Sequence, residues 1–575
     1  MILIFALLIT SASAAPQNDL LRITFPALRD TVDAEYVRVS GGTDPSARVT
    51  LNGKTVRVYP SGAFAGRIAL APGLNRIVIH SQTSARSASS SVQVYRPPLL
   101  ESSAKEPTAF DTRILEPAED IWQLPGDLLR VRCKGSPGGK AIFSVQKMGD
   151  KYPMVERDGE VAGIYEGVVR VDQAPFSRPL RIRIKLKGID NRSEQIDTPG
   201  RLIVLSDRIP LVGRTLEPAT LHSSSSHYTP MGRIPEGVAV RITGKMGSRL
   251  RIRLSPVRNA YIDADTAFPL PLGTQPPQIS VAAPSVTLSR DWIHLTMPVT
   301  GRAPFLVDGE TSPSALDLCL YGARCSSHWI TYPNSESELN GLRLSAPEED
   351  VFQLHVDLDM EQRWGHRVYY DDEALHFLIR RKPAIAAAPA SPCQGLIFAI
   401  DPGHGGDQTG AVGPTGVLEK DVNLIWARHL QSLLTRAGGR VILTRSGDET
   451  VSLPERIDRA READAHFFIS LHNNATTPWG DPLRARGTST YYALSQDRNL
   501  AWTLYPFLID LGLAPYGRVH NTYYVTLTPD MLVVLLEGAF LTHPEEEVLL
   551  ANGSFTRRLA EAVYKGLEEF LGNLR

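Results

Sequence analysis

From about Leu20 to Tyr95, apolar and polar residues alternate with the two-residue period of half-buried strands, and turn residues recur between the runs. Within that stretch, Val49-Thr50-Leu51-Asn52-Gly53-Lys54-Thr55-Val56 reads as a hairpin, because Asn-Gly readily takes the positive φ angles of a type I′ turn. Residues 18–96 are therefore expected to form a β-sandwich module. A second β-sandwich is expected over 110–205, where Leu128–Cys133 and Leu180–Leu186 alternate in the same way. Alternating runs on either side of Gly247-Ser248 predict a short β-meander within 207–268, and strand-like runs at Trp292–Met297 and Leu375–Ile379 predict a β-rich module over 278–381. Residues 383–394, rich in Ala and Pro, read as a linker.

Beyond the linker the period changes. Leu396-Ile397-Phe398-Ala399-Ile400 is a continuous apolar run of buried-strand length. Val422, Ile425, Trp426, Leu430, Leu433 and Leu434 then recur at helical spacing until Gly438-Gly439 stops the helix. Further strands are expected at 440–444, 467–471, 488–494 and 532–536, and further helices at 453–463, 498–511 and 555–571. The predicted fold class is multidomain: four β-rich N-terminal modules, followed over 395–575 by an α/β domain with helices on both faces of a mostly parallel sheet.

The length of 575 residues agrees with several domains. Lys plus Arg (61) against Asp plus Glu (62) leaves a net charge of −1, which gives no ground for expecting nucleic acid or an anionic membrane as partner. The short apolar run Met1–Ile9, followed by Ala12-Ser13-Ala14, reads as a signal peptide over 1–14. No later run reaches the roughly 20 apolar residues of a membrane span, so the mature chain is expected to be exported, periplasmic or wall-associated. Four cysteines are few for a disulfide framework. Cys319 and Cys325 are close enough to bridge a small loop in an oxidising compartment, whereas Cys133 and Cys393 lie far apart.

The chemistry gathers at strand ends, where ligands bind in α/β domains. His404 follows the first strand of the α/β stretch, His472 the strand ending at Leu471, and Glu537 the strand ending at Leu536. Glu419 opens the first helix, and the glycine-rich loop from His404 is long enough to fold it back beside the same edge. Two imidazoles and a carboxylate suit a zinc ion with one position left for water, and a further carboxylate could move the proton in hydrolysis. Blander roles are also open: Glu419 could serve the helix dipole and Glu537 could be a paired strand-end residue. A phosphate cradle is excluded, because no Gly-Lys-Ser/Thr follows the glycines. His222, His227, His294, His328, His355, His366 and His376 show no zinc spacing.

Four stretches in order carry a resemblance: Ile400-Asp401-Pro402-Gly403-His404-Gly405-Gly406, Leu418-Glu419-Lys420-Asp421-Val422-Asn423-Leu424, Phe468-Ile469-Ser470-Leu471-His472-Asn473-Asn474-Ala475 and Leu536-Glu537-Gly538-Ala539-Phe540-Leu541. Residues 397–571 resemble the zinc-dependent N-acetylmuramoyl-L-alanine amidases, the third amidase type of bacterial wall hydrolases. The resemblance implies that His404, Glu419 and His472 hold Zn2+ and that Glu537 is the catalytic carboxylate. It also implies peptidoglycan as substrate, cut between N-acetylmuramic acid and L-alanine. Asp401, Asn423 and Asn474 match motif positions and are expected to fix loops. Residues 207–268 are similar to the small Src-homology-type barrels of wall proteins, and 278–381 to the targeting modules that precede wall amidases. An envelope protein partner, if there is one, would act through these N-terminal modules.

The chain departs from the family after Phe540, where Leu541-Thr542-His543-Pro544 stands in place of the usual Ser-Asn before the proline. That places His543, of unassigned role, near the site. Thr476–Arg486 is too short for the inhibitory helix of partner-activated members, so the site is expected not to be self-blocked. The readings kept beside the amidase are a zinc peptidase acting within the stem peptide and a non-catalytic wall-binding protein.

Overall fold

The computed structural model describes residues 20–159, 161–172, 178–309, 315–326, 330, 332 and 338–575. The signal peptide expected over 1–14 lies outside them. The described residues fall into two compact units, which corrects the expected string of four β modules and one α/β domain. One unit contains the chain up to Leu99, Gln362–His366 and Arg380–Arg575; the other contains Leu100–Glu361 and Arg367–Ile379. Of the described residues 44% lie in strands and 14% in helices, and the α-helices all lie in the C-terminal third.

The correction has a physical cause in short strands that pair across the expected boundaries. Ile121–Gln123 and Leu202–Val204 lie in the stretch assigned to the second sandwich, yet they extend the sheet formed by strands of residues 211–269, with Trp122 opposite Lys245. Leu306, Tyr321 and Val351 enter that region's core, so 207–268 and 278–381 are not packed independently. The first β stretch shares its unit with the α/β stretch.

That first stretch is a sandwich of two sheets. Leu21–Phe25, Tyr36–Thr43 and Ala63–Ala69 form one, and Arg29–Thr31, Ser87–Arg96, Gly73–Gln82, Arg48–Leu51 and Lys54–Val56 the other. Val37, Val39, Phe64, Ile77 and Val92 meet between them, all fully buried. Asn52 and Gly53 both have positive φ (47° and 80°) and join paired Leu51 and Lys54, as the Asn-Gly signal predicts.

The α/β part has six strands: β1 (Ile397–Pro402), β2 (Arg440–Leu443), β3 (Phe467–Asn474), β4 (Thr488–Tyr492), β5 (Pro515–His520) and β6 (Leu532–Phe540). Their order is β2-β1-β3-β6-β4-β5, with β4 antiparallel to β6 and all other neighbours parallel. The helices are α1 (Glu419–Arg436), α2 (Leu453–Glu462), α3 (Arg498–Ile509), α4 (Pro544–Leu550) and α5 (Gly553–Gly572). They are unevenly placed. Side chains of α1, α3, α4 and α5 share one core on one face, whereas α2 alone adds Ile457 and Ala460 to the core of the other.

On α1, Val422, Trp426, Leu430 and Leu434 form the buried stripe, while Ile425 is 46% exposed and points outward. The helix stops at Gly438, whose φ of +83° and N–H to the Thr435 carbonyl end it. The stretch read as a linker is packed: Cys393 is fully buried in the α/β core, beside Leu396. Trp364 also enters that core, edge-on to Phe467 at 5.8 Å. The bridge left open between Cys319 and Cys325 is not formed. Cys319 sits in a strand opposite Leu306 and Gln353, and Cys325 in a separate short strand.

Candidate active site

Parallel pairing sets the strand ends level. Pro402 of β1 lies opposite Leu471 of β3, and His472 lies opposite Glu537 of β6, so the residues just past these positions meet at one edge. There the backbone turns sharply. His404 has a φ of +64°, a conformation that costs a non-glycine residue on the order of 1 kcal/mol or more. Two buried arginines hold it. Arg445 donates to the carbonyls of Pro402 (2.8 Å) and Gly403 (3.1 Å), and Arg456 donates to those of Pro402 (2.9 Å) and His404 (2.7 Å).

Asp401 balances this positive charge. Its carboxylate accepts from Arg456 Nη1 at 2.7 Å and from the hydroxyls of Thr444 at 2.5 Å and Ser470 at 2.7 Å. Burial alone would raise its pKa, but the charge and hydrogen bonds of these partners hold it below the ordinary aspartate value. Asp401 thus anchors the loop. Asn423 does so too, through its Nδ2 to the Gly403 carbonyl at 3.2 Å, and Asn474 reaches Ser489 Oγ at 3.1 Å.

The glycines admit the side chains that meet here. A Cβ on Gly403 would stand 2.1 Å from the His472 ring, and one on Gly410 (φ +67°) would stand 2.5 Å from Glu419 Oε2. With that space kept, Glu419 is 4% exposed and bridges the two histidines. Its Oε2 lies 3.2 Å from His404 Nε2, and its Oε1 lies 3.0 Å from His472 Nδ1. The two rings stand 4.9 Å apart, nearly perpendicular at 80°. One donor atom from each of the three residues lies within 4.8 Å of the others, so they could hold a single metal ion. Glu419 is oriented by the N–H groups of Ala411 (2.7 Å) and Asn473 (3.1 Å).

Glu537, next to His472 across the strands, has a different setting. Its Oε2 is inaccessible and has no hydrogen-bond partner. Burial, then the negative charge of Glu419, push its carboxyl well above the usual glutamate range. Glu419 goes the other way: burial pushes it up, but the charge and hydrogen bonds of His404 and His472 hold it well below. His404 is correspondingly raised, burial being outweighed by Glu419. Two neighbouring carboxyls therefore differ in character, Glu419 being held as an anion while Glu537 favours its protonated form.

His543 is 3% exposed and is not part of this cluster. Its Nδ1 accepts the Glu545 N–H at 3.2 Å, capping α4, and its ring bonds the Leu483 backbone in the 475–487 loop. That loop contains no helix. Arg445, Arg456, Thr444, Ser470 and Asn473 were not anticipated from the sequence. For Arg445 a signal existed, since it directly follows the strand-end Thr444; Arg456 on a helix carried none.

Residues 398–569 match the family model described as N-acetylmuramoyl-L-alanine amidase. The N-acetylmuramoyl-L-alanine amidase LytC of Bacillus subtilis is 33% identical over 249 residues, covering 42% of this chain and 49% of the relative. The amidase AmiA of Escherichia coli K12 is 31% identical over 215 residues, covering 30% of this chain and 74% of its own length. An uncharacterised Bacillus subtilis protein, YqiI, is 31% identical over 192 residues, 90% of its length. The chain thus spans about half of LytC and most of the two shorter relatives.

Proposed function

This chain belongs to the N-acetylmuramoyl-L-alanine amidase family through residues 398–569, and we propose that it hydrolyses the amide between N-acetylmuramic acid and L-alanine in peptidoglycan, for wall remodelling or daughter-cell separation. We infer that His404, Glu419 and His472 hold a zinc ion and that Glu537 is the catalytic carboxylate. The observation that carries this reading is the unpartnered Oε2 of Glu537 beside three convergent metal donors. A buried polar atom without a partner is costly unless something absent from the chain completes it.

The residues fit zinc. Two neutral imidazoles and one carboxylate are a hydrolytic donor set that leaves a position for water and substrate. When bound, the ion polarises the scissile carbonyl and makes water acidic enough to be deprotonated near neutral pH. Glu537 takes the proton from the attacking water as oxygen bonds to the carbonyl carbon. It then returns that proton to the alanine nitrogen as the carbon–nitrogen bond breaks. Glu419, already an anion, and the loop held by Arg445 and Arg456 keep the donors in place throughout.

Export to the envelope agrees with a wall substrate. Among the described residues no helix is long and apolar enough to cross a membrane. The β-rich stretches before the amidase domain are read as targeting or spacing elements, through which an envelope partner would act. Digestion of purified peptidoglycan by the zinc-loaded protein, with products identified by mass spectrometry, tests the bond cut. Stem peptides with free L-alanine amino termini are expected; fragments cut within the stem would instead indicate a peptidase.

A further inference from the structure

The sheet formed by Leu21–Phe25, Tyr36–Thr43 and Ala63–Ala69 has two faces, and alternation decides what each meets. Val37, Val39 and Phe64 enter the sandwich core, which leaves Arg38, Ser40 and Gly42 on the opposite face. Around Thr24, Arg38 and Gly42 that face is covered by the two loops that carry the proposed metal donors, whereas Tyr36 and Arg67 at its other end are exposed. Thr24 Oγ1 donates to the Pro414 carbonyl at 3.2 Å, in the loop between His404 and Glu419. The Arg38 N–H donates to the Pro478 carbonyl at 2.7 Å, in the loop that leaves His472.

At this junction Arg38 is 6% exposed, and its guanidinium lies 4.3 Å over the Phe25 ring. Its Nε and Nη1 are inaccessible and have no hydrogen-bond partner, which leaves Nη2 as the open corner. Among the described residues no carboxylate pairs with it, and burial alone lowers its pKa to about 10. Its direct cross-strand neighbour is another cation, Arg67, whose guanidinium stacks on Tyr36 at 4.2 Å. Like charges placed opposite each other in a sheet are unfavourable, and a buried unpaired charge more so. Two independent features therefore ask for an anion that the chain does not provide.

We propose that Arg38 binds a carboxylate of the substrate's stem peptide, and that the N-terminal sandwich thereby forms part of the substrate site. The inference rests on the amidase reading. Beyond L-alanine the stem carries free carboxylates, and an extended peptide advances about 3.4 Å per residue, so a second residue lies several ångströms from the cut bond. With Nε and Nη1 shut in, the carboxylate accepts one charge-assisted hydrogen bond from Nη2, at a point that the shorter reach and different shape of a lysine ammonium would not reproduce.

The test uses the full-length zinc-loaded protein and two soluble muramoyl tetrapeptides, identical except that the residue after L-alanine carries either a free carboxylate or a carboxamide. The wild type is expected to prefer the carboxylate by about 10- to 100-fold in kcat/KM, mostly through KM. Arg38→Met should reduce the ratio to about 1 and leave the thermal midpoint equal or higher, because an unpaired buried charge is removed. Arg38→Lys, which keeps the charge, should fall between and serves as the readout if the methionine variant does not fold. Equal rates on the two substrates by the wild type, or an undiminished preference in both variants, overturn the proposal while leaving the amidase intact. Failure of the wild type to cleave either substrate overturns the amidase reading, and this proposal with it.

Discussion

The guanidinium of Arg456 lies 2.7 Å from the carboxylate of Asp401, with both side chains 2% exposed, directly behind the loop that presents His404. Removing one partner of such a buried pair leaves the other charged and unpaired, which costs about 3–5 kcal/mol. Arg456→Met is therefore expected to lose about that much unfolding free energy in urea. Because Arg456 also holds the His404 carbonyl, zinc affinity should fall roughly 10- to 100-fold. A variant as stable as the wild type would contradict the anchoring role.

Glu419 bridges His404 and His472, and the N–H groups of Ala411 and Asn473 hold it there. The chain itself therefore positions the donors proposed for zinc, unlike zinc sites whose ligands meet only on binding. Chelation is expected to abolish hydrolysis while the circular dichroism spectrum stays native, with the thermal midpoint lowered by the lost binding energy. Added zinc should restore activity. Cooperative unfolding on chelation would show instead that the metal builds the site.

His543 caps α4 and bonds the 475–487 loop, so its role is structural. His543→Ala is expected to cost about 1 kcal/mol, and His543→Asn, which keeps a side-chain acceptor, less. Zinc stoichiometry should be unchanged in both. Loss of zinc from His543→Asn would mean that the ring takes part in the metal site.

Acid should weaken the fold through two buried imidazoles. Burial lowers His366 from 6.5 to about 4, and likewise His222. Between those values the unfolded chain binds protons that the folded chain does not, so stability is full above about pH 6.5 and falls as pH drops toward 4. His366 alone corresponds to about 3 kcal/mol across that window. Unfolding free energies measured at pH 7.5 and 5 should differ in that direction, and His366→Asn should flatten the slope. A pH-independent stability would refute this.

The α/β strands were legible because buried strands are continuous apolar runs; His404, His472 and Glu537 follow such runs and Glu419 opens α1, and the fold brings the four to one edge. Strand β5 was missed, since Pro515 and Gly517 are poor strand formers and an edge strand needs no apolar run. The seven-residue α4 is too short to show a helical period. Arg445 and Arg456 were not anticipated, although both are buried clamps. Alternation along Tyr36–Thr43 showed which side is apolar, but not that the face with Arg38 is covered as well. For the same reason the fold class went wrong: periodicity identifies strands, whereas the pairing of Trp122 with Lys245 depends on contacts far apart in the chain.

Glu537→Gln, assayed for zinc content and peptidoglycan hydrolysis in the same preparation, separates metal binding from proton transfer. Zinc binding is expected at the wild-type level, because the proposed donors are His404, Glu419 and His472. Release of stem peptides should fall by roughly 100-fold or more, because the amide cannot carry the proton. Near wild-type hydrolysis by a zinc-loaded Glu537→Gln protein would contradict the proposed role of Glu537.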